Sequence, residues 1–220
     1  MSIDLKFGRR AARSGKTRQM VVVLHGYGAD GADLLGLADP LSPHLPDAVF
    51  YAPDAPDPCS GNPFGRQWFG IPRFDGSTVD QAMVGLARAA AAVNAFLDAR
   101  LDDERLTPKD LILLGFSQGA MTALHVAPRR DAPIAGVIAI SGRLIAPERL
   151  APETLSKPSV LLMHGDRDDV VDFSEMALAG DALVAAGFDT YGHVMTGSGH
   201  GIAPDGLQVA LAFIKDRLGV

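Results

Sequence analysis

Short apolar runs recur along the chain with helix-patterned stretches between them. Met20–Leu24, Ala48–Ala52, Leu111–Gly115, Ile134–Ile140 and Val160–Met163 are such runs, and Thr190–Met195 reads as the last of the series. Runs this short with little polar alternation predict strands covered on both faces, the habit of parallel sheets. Val79–Arg100 is alanine-rich with apolar residues at helical spacing. Gln118–Val126 is stopped by Pro128, Phe173–Ala186 ends at Gly187, a C-cap residue, and Asp205–Leu218 closes the series of helices. Strand–helix alternation implies right-handed crossovers. The expected fold is therefore α/β, a three-layer sandwich with a mostly parallel sheet and helices on both faces. A chain of 220 residues suits one such domain spanning 1–220.

Residues 53–77 break the pattern. Pro53, Pro56, Pro58, Pro63 and Pro72, with several glycines, leave no regular element that fits. Phe64, Trp68, Phe69 and Phe74 in the same stretch predict an ordered flap over a site. Composition adds limits. The net charge of −6 gives no footing for nucleic acid, and Arg9, Arg10, Arg13, Lys16 and Arg18 read as a solvated basic loop. Cys59 is the single cysteine, so no intrachain disulfide forms, which suits a reducing compartment. The first residues lack the apolar core of a signal peptide, and no uninterrupted apolar stretch reaches membrane-spanning length. The expectation is a cytoplasmic protein without stable membrane insertion; a homodimer is compatible with the sequence.

The candidate chemistry lies where the run Leu111–Leu114 meets Gly115-Phe116-Ser117-Gln118-Gly119. Gly-x-Ser-x-Gly between a buried strand and a helix is the pattern of a nucleophile elbow. Small residues admit a strained turn that lifts the Ser117 hydroxyl clear of the sheet, and the helix N-terminus favours negative charge beside it. A serine needs a base, and in this chain order the base follows an acid late in the sequence. His25 and His44 precede the serine, His125 lies on the following helix, His164 ends a strand and His193 lies inside one. His200, in a glycine-rich loop, is left as the base. The acid should come from His164-Gly165-Asp166-Arg167-Asp168-Asp169, where spacing does not choose among Asp166, Asp168 and Asp169. Backbone N–H groups of Tyr27, in His25-Gly26-Tyr27-Gly28, and of Gln118 are the expected oxyanion donors. The acidic turn lacks the spacing of a calcium loop, and the chain lacks the histidine pair of a zinc hydrolase, so neither metal nor cofactor is expected.

Two other motifs compete. Gly26-Tyr27-Gly28-Ala29-Asp30-Gly31 fits G-x-G-x-x-G, with Asp54 near the end of the next strand. The segment after Gly31 offers only a short helix before Pro40, which disfavours a dinucleotide site. Ser14-Gly15-Lys16-Thr17 ends like a P-loop, but Arg10 stands where its first glycine belongs.

Val23-Leu24-His25-Gly26-Tyr27-Gly28, Gln67-Trp68-Phe69-Gly70-Ile71, the Ser117 elbow, the segment from His164 to Val171 and Gly199-His200 occur in one order along nearly the whole chain. Together they resemble the phospholipase/carboxylesterase family of α/β-hydrolases, which includes acyl-protein thioesterases. The resemblance implies Asp168 as the acid. It also implies Ser117 as nucleophile, His200 as base, Tyr27 and Gln118 as oxyanion donors, and a pocket lined by Trp68, Phe69, Arg143 and Val170. The implied function is hydrolysis of small carboxylic esters through an acyl-enzyme, with a small-molecule substrate and no cofactor. Thioesterase or lysophospholipase activity is the alternative, and a non-catalytic binding module on the same scaffold ranks below both.

Overall fold

A computed structural model describes residues 4–60 and 62–220. In chain order the strands are β1 (Phe7–Arg10), β2 (Gln19–Leu24), β3 (Ala48–Pro53), β4 (Asp57–Cys59), β5 (Asn62–Gln67), β6 (Leu111–Phe116), β7 (Gly136–Ile140), β8 (Ser159–Gly165) and β9 (Thr190–Met195). The α-helices are α1 (Gly31–Leu35), α2 (Ala38–Leu41), α3 (Pro72–Asp75), α4 (Val79–Glu104), α5 (Gln118–Val126), α6 (Leu150–Glu153), α7 (Ser174–Ala185) and α8 (Pro204–Leu218). Among the described residues, seven strands form the central sheet in the order β1-β3-β2-β6-β7-β8-β9, while β4 and β5 pair separately as a hairpin. β1 runs antiparallel to β3, and every other pairing in the central sheet is parallel.

The continuous apolar strands divide their side chains by the two-residue period of the pleat. Val22, Leu24, Leu111, Leu113, Val137 and Leu162 face one way, against α4, α5 and α7. Val21, Val23, Ile112, Leu114, Ile138 and Leu161 face the other, against α1, α2 and α8. This is the α/β-hydrolase fold. By length and composition α4, at 26 residues, would suffice to cross a membrane. Here one stripe of it, including Leu86, Ala89, Val93 and Leu97, packs into the first of these cores.

The topology locates a crevice. From β2 the chain passes to β3 on one side, whereas β6 lies on the other. The connections leaving the carboxyl ends of β2 and β6 therefore diverge, and a cleft opens between them at this switch point. Leu24 is in register with Gly115, and Phe116 with Ile140, so the ends of β2, β6 and β7 lie level beneath it.

One feature of α5 couples the fold to pH. The His125 imidazole is buried, its Nδ1 has no partner among the described residues, and burial lowers its pKa to about 4. The neutral ring is the form the fold accommodates. The stability it permits is complete above the ordinary histidine pKa of about 6.5 and is lost as pH falls from there towards 4. The loss should reach at most about 3 kcal/mol. His125→Leu should narrow the difference between urea unfolding free energies at pH 7 and pH 4.5, and an unchanged difference would place the acid sensitivity elsewhere.

Candidate active site

Ser117 sits between β6 and α5 with φ 53° and ψ −116°, the left-handed half of backbone space that a β-carbon resists. The turn is held by the Ser117 N–H, which donates to Ile140 O at 2.8 Å, and by close backbone packing. A β-carbon on Gly119 would lie 2.7 Å from His25 O and closer still to Leu24 O, so only glycine fits there. The elbow thus presses directly against the loop leaving β2.

His200 bridges the two other groups predicted from sequence. Its Nδ1 lies 2.8 Å from Asp168 Oδ2 and its Nε2 3.0 Å from Ser117 Oγ. The carboxylate can only accept, so Nδ1 carries the hydrogen and Nε2 is left to accept from the Ser117 hydroxyl. Burial pushes the Asp168 carboxyl up. The Val171 N–H, His200 and the Val170 N–H together outweigh it and hold the carboxyl below the ordinary aspartate range. The carboxylate is therefore ionised where it faces the imidazole. Asp166 accepts the Gly197 N–H and so clasps the loop that carries His200, whereas Asp169 is exposed.

Gly26 stands against the serine: a β-carbon there would lie 3.3 Å from Ser117 Cβ. Among the described residues neither the Tyr27 N–H nor the Gln118 N–H has a hydrogen-bond acceptor. One of these N–H groups lies on the loop after β2, next to the Gly26 that abuts Ser117, and the other opens α5 directly after Ser117. The β2 loop is braced from several sides. Ala55 N–H donates to His25 Nε2 at 2.9 Å, which leaves the hydrogen on Nδ1, 2.7 Å from Gly26 O. Burial pushes the His25 imidazole below its usual range, which keeps this neutral tautomer.

The proline-rich segment supplies the remaining bracing, and it is more regular than its sequence predicts. It forms the β4–β5 hairpin and α3. Gly28 N–H donates to Arg66 O at 2.9 Å and Arg66 N–H to Ala29 O at 2.8 Å, so the hairpin docks on the β2 loop as a strand would. A β-carbon on Gly65 would meet Gly28 Cα at 2.8 Å, deep inside contact distance. Gly65→Ala should therefore push the hairpin off the β2 loop and destabilise the fold by roughly 1–3 kcal/mol. An unchanged urea unfolding free energy would show that the close approach of hairpin and loop is not required.

Asp54, the acid required by a dinucleotide reading, instead accepts the Gly31 N–H at 2.9 Å, and α1 spans only five residues. The glycine motif is used in packing and capping. A model described as Phospholipase/Carboxylesterase matches residues 11–218. The chain belongs to the phospholipase/carboxylesterase family. Esterase YpfH of Escherichia coli is 30% identical over 206 residues, covering 90% of this chain and 82% of its own length. Acyl-protein thioesterase 1 of Saccharomyces cerevisiae is 27% identical over 223 residues, covering 96% and 97%. The crystal structure of esterase PE8 matches with a TM-score of 0.93 and 42% identity, over 98% of this chain and 100% of that one. This phospholipase/carboxylesterase family member is a hydrolase of the esterase kind.

Ser117 and His200 open onto a cavity of about 490 Å³. Phe69, Ile71, Phe74, Met83, Leu86, Met121, Ile145 and Val170 give it an apolar wall, and Arg143 stands in the lining. A second cavity of about 520 Å³ adjoins it, sharing Arg143, Ile145 and Glu175. Of the four residues expected around a pocket, Phe69, Arg143 and Val170 line the first cavity and Trp68 does not. Trp68 is fully buried and absent from the cavity wall; its Nε1–H donates to His25 O at 2.9 Å, and its ring packs in the core. Its position is that of an anchor for the β2 loop.

Two contributions escaped the sequence reading. The Gln118 side chain accepts the Trp68 N–H at 2.9 Å and donates to Phe69 O at 2.7 Å, so the elbow grips the cavity wall. His164, set aside as a base because it ends a strand, lies 3.3 Å from Asp168 Oδ2. The four-residue spacing of His164 and Asp168 was legible; that the turn folds the carboxylate back over the ring was not.

Proposed function

We propose that the chain is a serine carboxylesterase acting on small carboxylic esters through an acyl-enzyme. The observation that carries this reading is the relay at 3.0 and 2.8 Å from Ser117 through His200 to Asp168. Ser117 Oγ attacks the ester carbonyl while His200 Nε2 takes its proton. The negative oxygen that forms is met by the Tyr27 and Gln118 N–H groups, and Asp168 stabilises the imidazolium. As the tetrahedral intermediate collapses, the C–O bond to the alcohol breaks and His200 returns the proton to the leaving oxygen. Water, deprotonated by His200, then attacks the acyl-enzyme and releases the acid with Ser117 restored. The sequence needs no redox partner, and the protein acts in the cytoplasm. Relatives named acyl-protein thioesterase make thioesters the second reading.

The cavity selects by size and polarity. Its apolar wall suits a short acyl or alkyl group. Arg143 is exposed, and among the described residues no carboxylate lies within ion-pair distance of it, so it can meet an anionic group on the substrate. A panel of 4-nitrophenyl butyrate, mono-4-nitrophenyl adipate, an acyl-CoA and a lysophospholipid, ranked by kcat/KM, tests the reading. The oxygen esters should lead, and Arg143→Leu should lower turnover of the adipate about tenfold while sparing the butyrate. A dominant thioester or lysolipid rate would overturn the ester assignment, and equal losses on both nitrophenyl esters would remove Arg143 from anion recognition.

A further inference from the structure

The loop that follows β7 joins the elbow to a space the proposed mechanism does not use. A β-carbon on Gly142 would lie 2.6 Å from Ala120 Cβ and 3.1 Å from Ser117 O, so the root of this loop packs directly on the nucleophile turn. The Ser141 N–H donates to Met163 O at 2.8 Å. Ser141 and Ala146 both hold φ 50°, a left-handed conformation that a β-carbon resists. Such residues persist where their surroundings fix them, so the loop forms a rigid wall. Residues 143–147 of this loop, with Leu178, Ala179 and Ala182 of α7, line the second cavity of about 520 Å³.

The relay fixes which part of an ester lies towards this space. His200 Nε2 returns the proton to the leaving oxygen, so the alcohol must lie on the His200 side of Ser117. The carbonyl oxygen is turned the other way, towards the Tyr27 and Gln118 N–H groups. On the His200 side the first cavity is walled by Val170 and Val171, whose N–H groups donate to Asp168 Oδ1 at 3.0 and 2.9 Å, and then by Asp172 and Glu175. Glu175 lines both cavities, as do Arg143 and Ile145. The wall that starts beside the base therefore leads into the second cavity, whereas Phe69, Leu86 and Met121 line the first cavity alone. Arg143 and Glu175 carry opposite charges, so the passage gains no net charge from them, and the residues beyond it are apolar.

We infer that the second cavity is the subsite for the alcohol arm of the substrate, and that the preferred substrates are esters of uncharged alcohols carrying an extended alkyl chain. The acyl arm occupies the first cavity, against Phe69, Leu86 and Met121. Burying one methylene is worth up to about fourfold in affinity. A hexyl chain whose four extra methylenes are half buried should therefore raise kcat/KM about tenfold over ethyl. Ethanol and hexanol leave with nearly equal ease, because those methylenes are remote from the oxygen, so the rise reports binding.

This subsite assignment rests on the proposed Ser117–His200–Asp168 relay, and its test separates the two. Ethyl, butyl and hexyl butyrate vary the alcohol arm; ethyl acetate, butyrate and hexanoate vary the acyl arm. With kcat/KM read by pH-stat titration, wild-type protein should favour hexyl over ethyl butyrate about tenfold. Ala182→Phe fills the second cavity from a half-buried position on α7 and should cut that preference to about twofold while the acyl-arm ratios hold. Leu178 is 60% exposed, so Leu178→Glu puts a carboxylate on the cavity wall without entering the core, and should cut the preference at least about threefold. If Ala182→Phe does not fold, Leu178→Glu decides the matter. A flat alcohol series in the wild type, or folded variants that move both arms alike or neither, would overturn the subsite with the esterase reading intact. Hydrolysis of none of these esters would instead sink the relay reading. The cavity is then judged by hexanol itself: titrated into alanine-methyl-labelled protein, it should shift the NMR signals of Ala179 and Ala182. Unmoved signals there would overturn the assignment whatever the turnover.

Discussion

Ser117→Ala is expected to lower kcat/KM for 4-nitrophenyl butyrate by about 10⁴-fold or more while leaving the fold intact. The loss is large because the other members of the relay act through the hydroxyl: with no Oγ, His200 has no proton to take. The fold should survive for three reasons. Alanine and serine bear the same strain at φ 53°, since both carry a β-carbon. The turn is held by backbone groups, the Ser117 N–H to Ile140 O and the Met121 N–H to Ser117 O, which the substitution leaves in place. The His200 side chain is 16% exposed, so water can meet the Nε2 that loses its partner. Unfolding free energy should therefore change by no more than about 1 kcal/mol. Steady-state kinetics and urea unfolding on the same preparation check both parts, and residual turnover within tenfold of wild type would remove Ser117 from the chemistry.

Gly119→Ala should have the largest effect on stability. The added methyl would be forced into Leu24 O and would lie 2.5 Å from Leu24 C and 2.7 Å from His25 O. All three are backbone atoms at the junction of β2 and its loop, where no side chain can swing aside. On the opposite side of the elbow, a β-carbon on Gly115 would meet Ala120 N at 2.5 Å. The elbow is therefore wedged between two backbones, and relief requires β2 and α5 to separate. A destabilisation of roughly 3–5 kcal/mol is expected, with a corresponding fall in the urea midpoint. What folds should turn over slowly, because the same shift moves the Tyr27 N–H. A Gly119→Ala protein as stable as wild type would mean that the close approach is not obligatory.

Much of the architecture could be read from one dimension because it depends on local, repeated signals. The buried strands were predicted from apolar runs within a residue or two; β7 begins at Gly136 where the run begins at Ile134, and β8 ends at Gly165 where the run ends at Met163. The long helices were placed similarly, with α4 extending to Glu104. The missed elements are those whose partners lie far along the chain. β1 reads Phe-Gly-Arg-Arg and is mostly exposed; it is a strand because it pairs with β3 at the sheet edge. The β4–β5 hairpin is rich in proline and glycine and exists because it docks on the β2 loop.

The site divides along the same line. Ser117 and His200 were reachable from motif and chain order. Asp168 was not separable from Asp166 and Asp169 by spacing, and needed the family resemblance. In three dimensions the difference is plain: Asp168 is buried against two imidazoles, whereas Asp166 holds a loop. Trp68 shows the opposite failure, an aromatic in a flap read as a pocket wall when it is an anchor beneath one.

The most direct test of the account is covalent capture. Wild-type protein treated with a fluorophosphonate should gain one adduct, mapped by peptide mass spectrometry to Ser117. A crystal structure of that adduct should place a phosphoryl oxygen about 3 Å from the N–H groups of both Tyr27 and Gln118. A folded protein that stays unlabelled, or an adduct carried by any other residue, would contradict it.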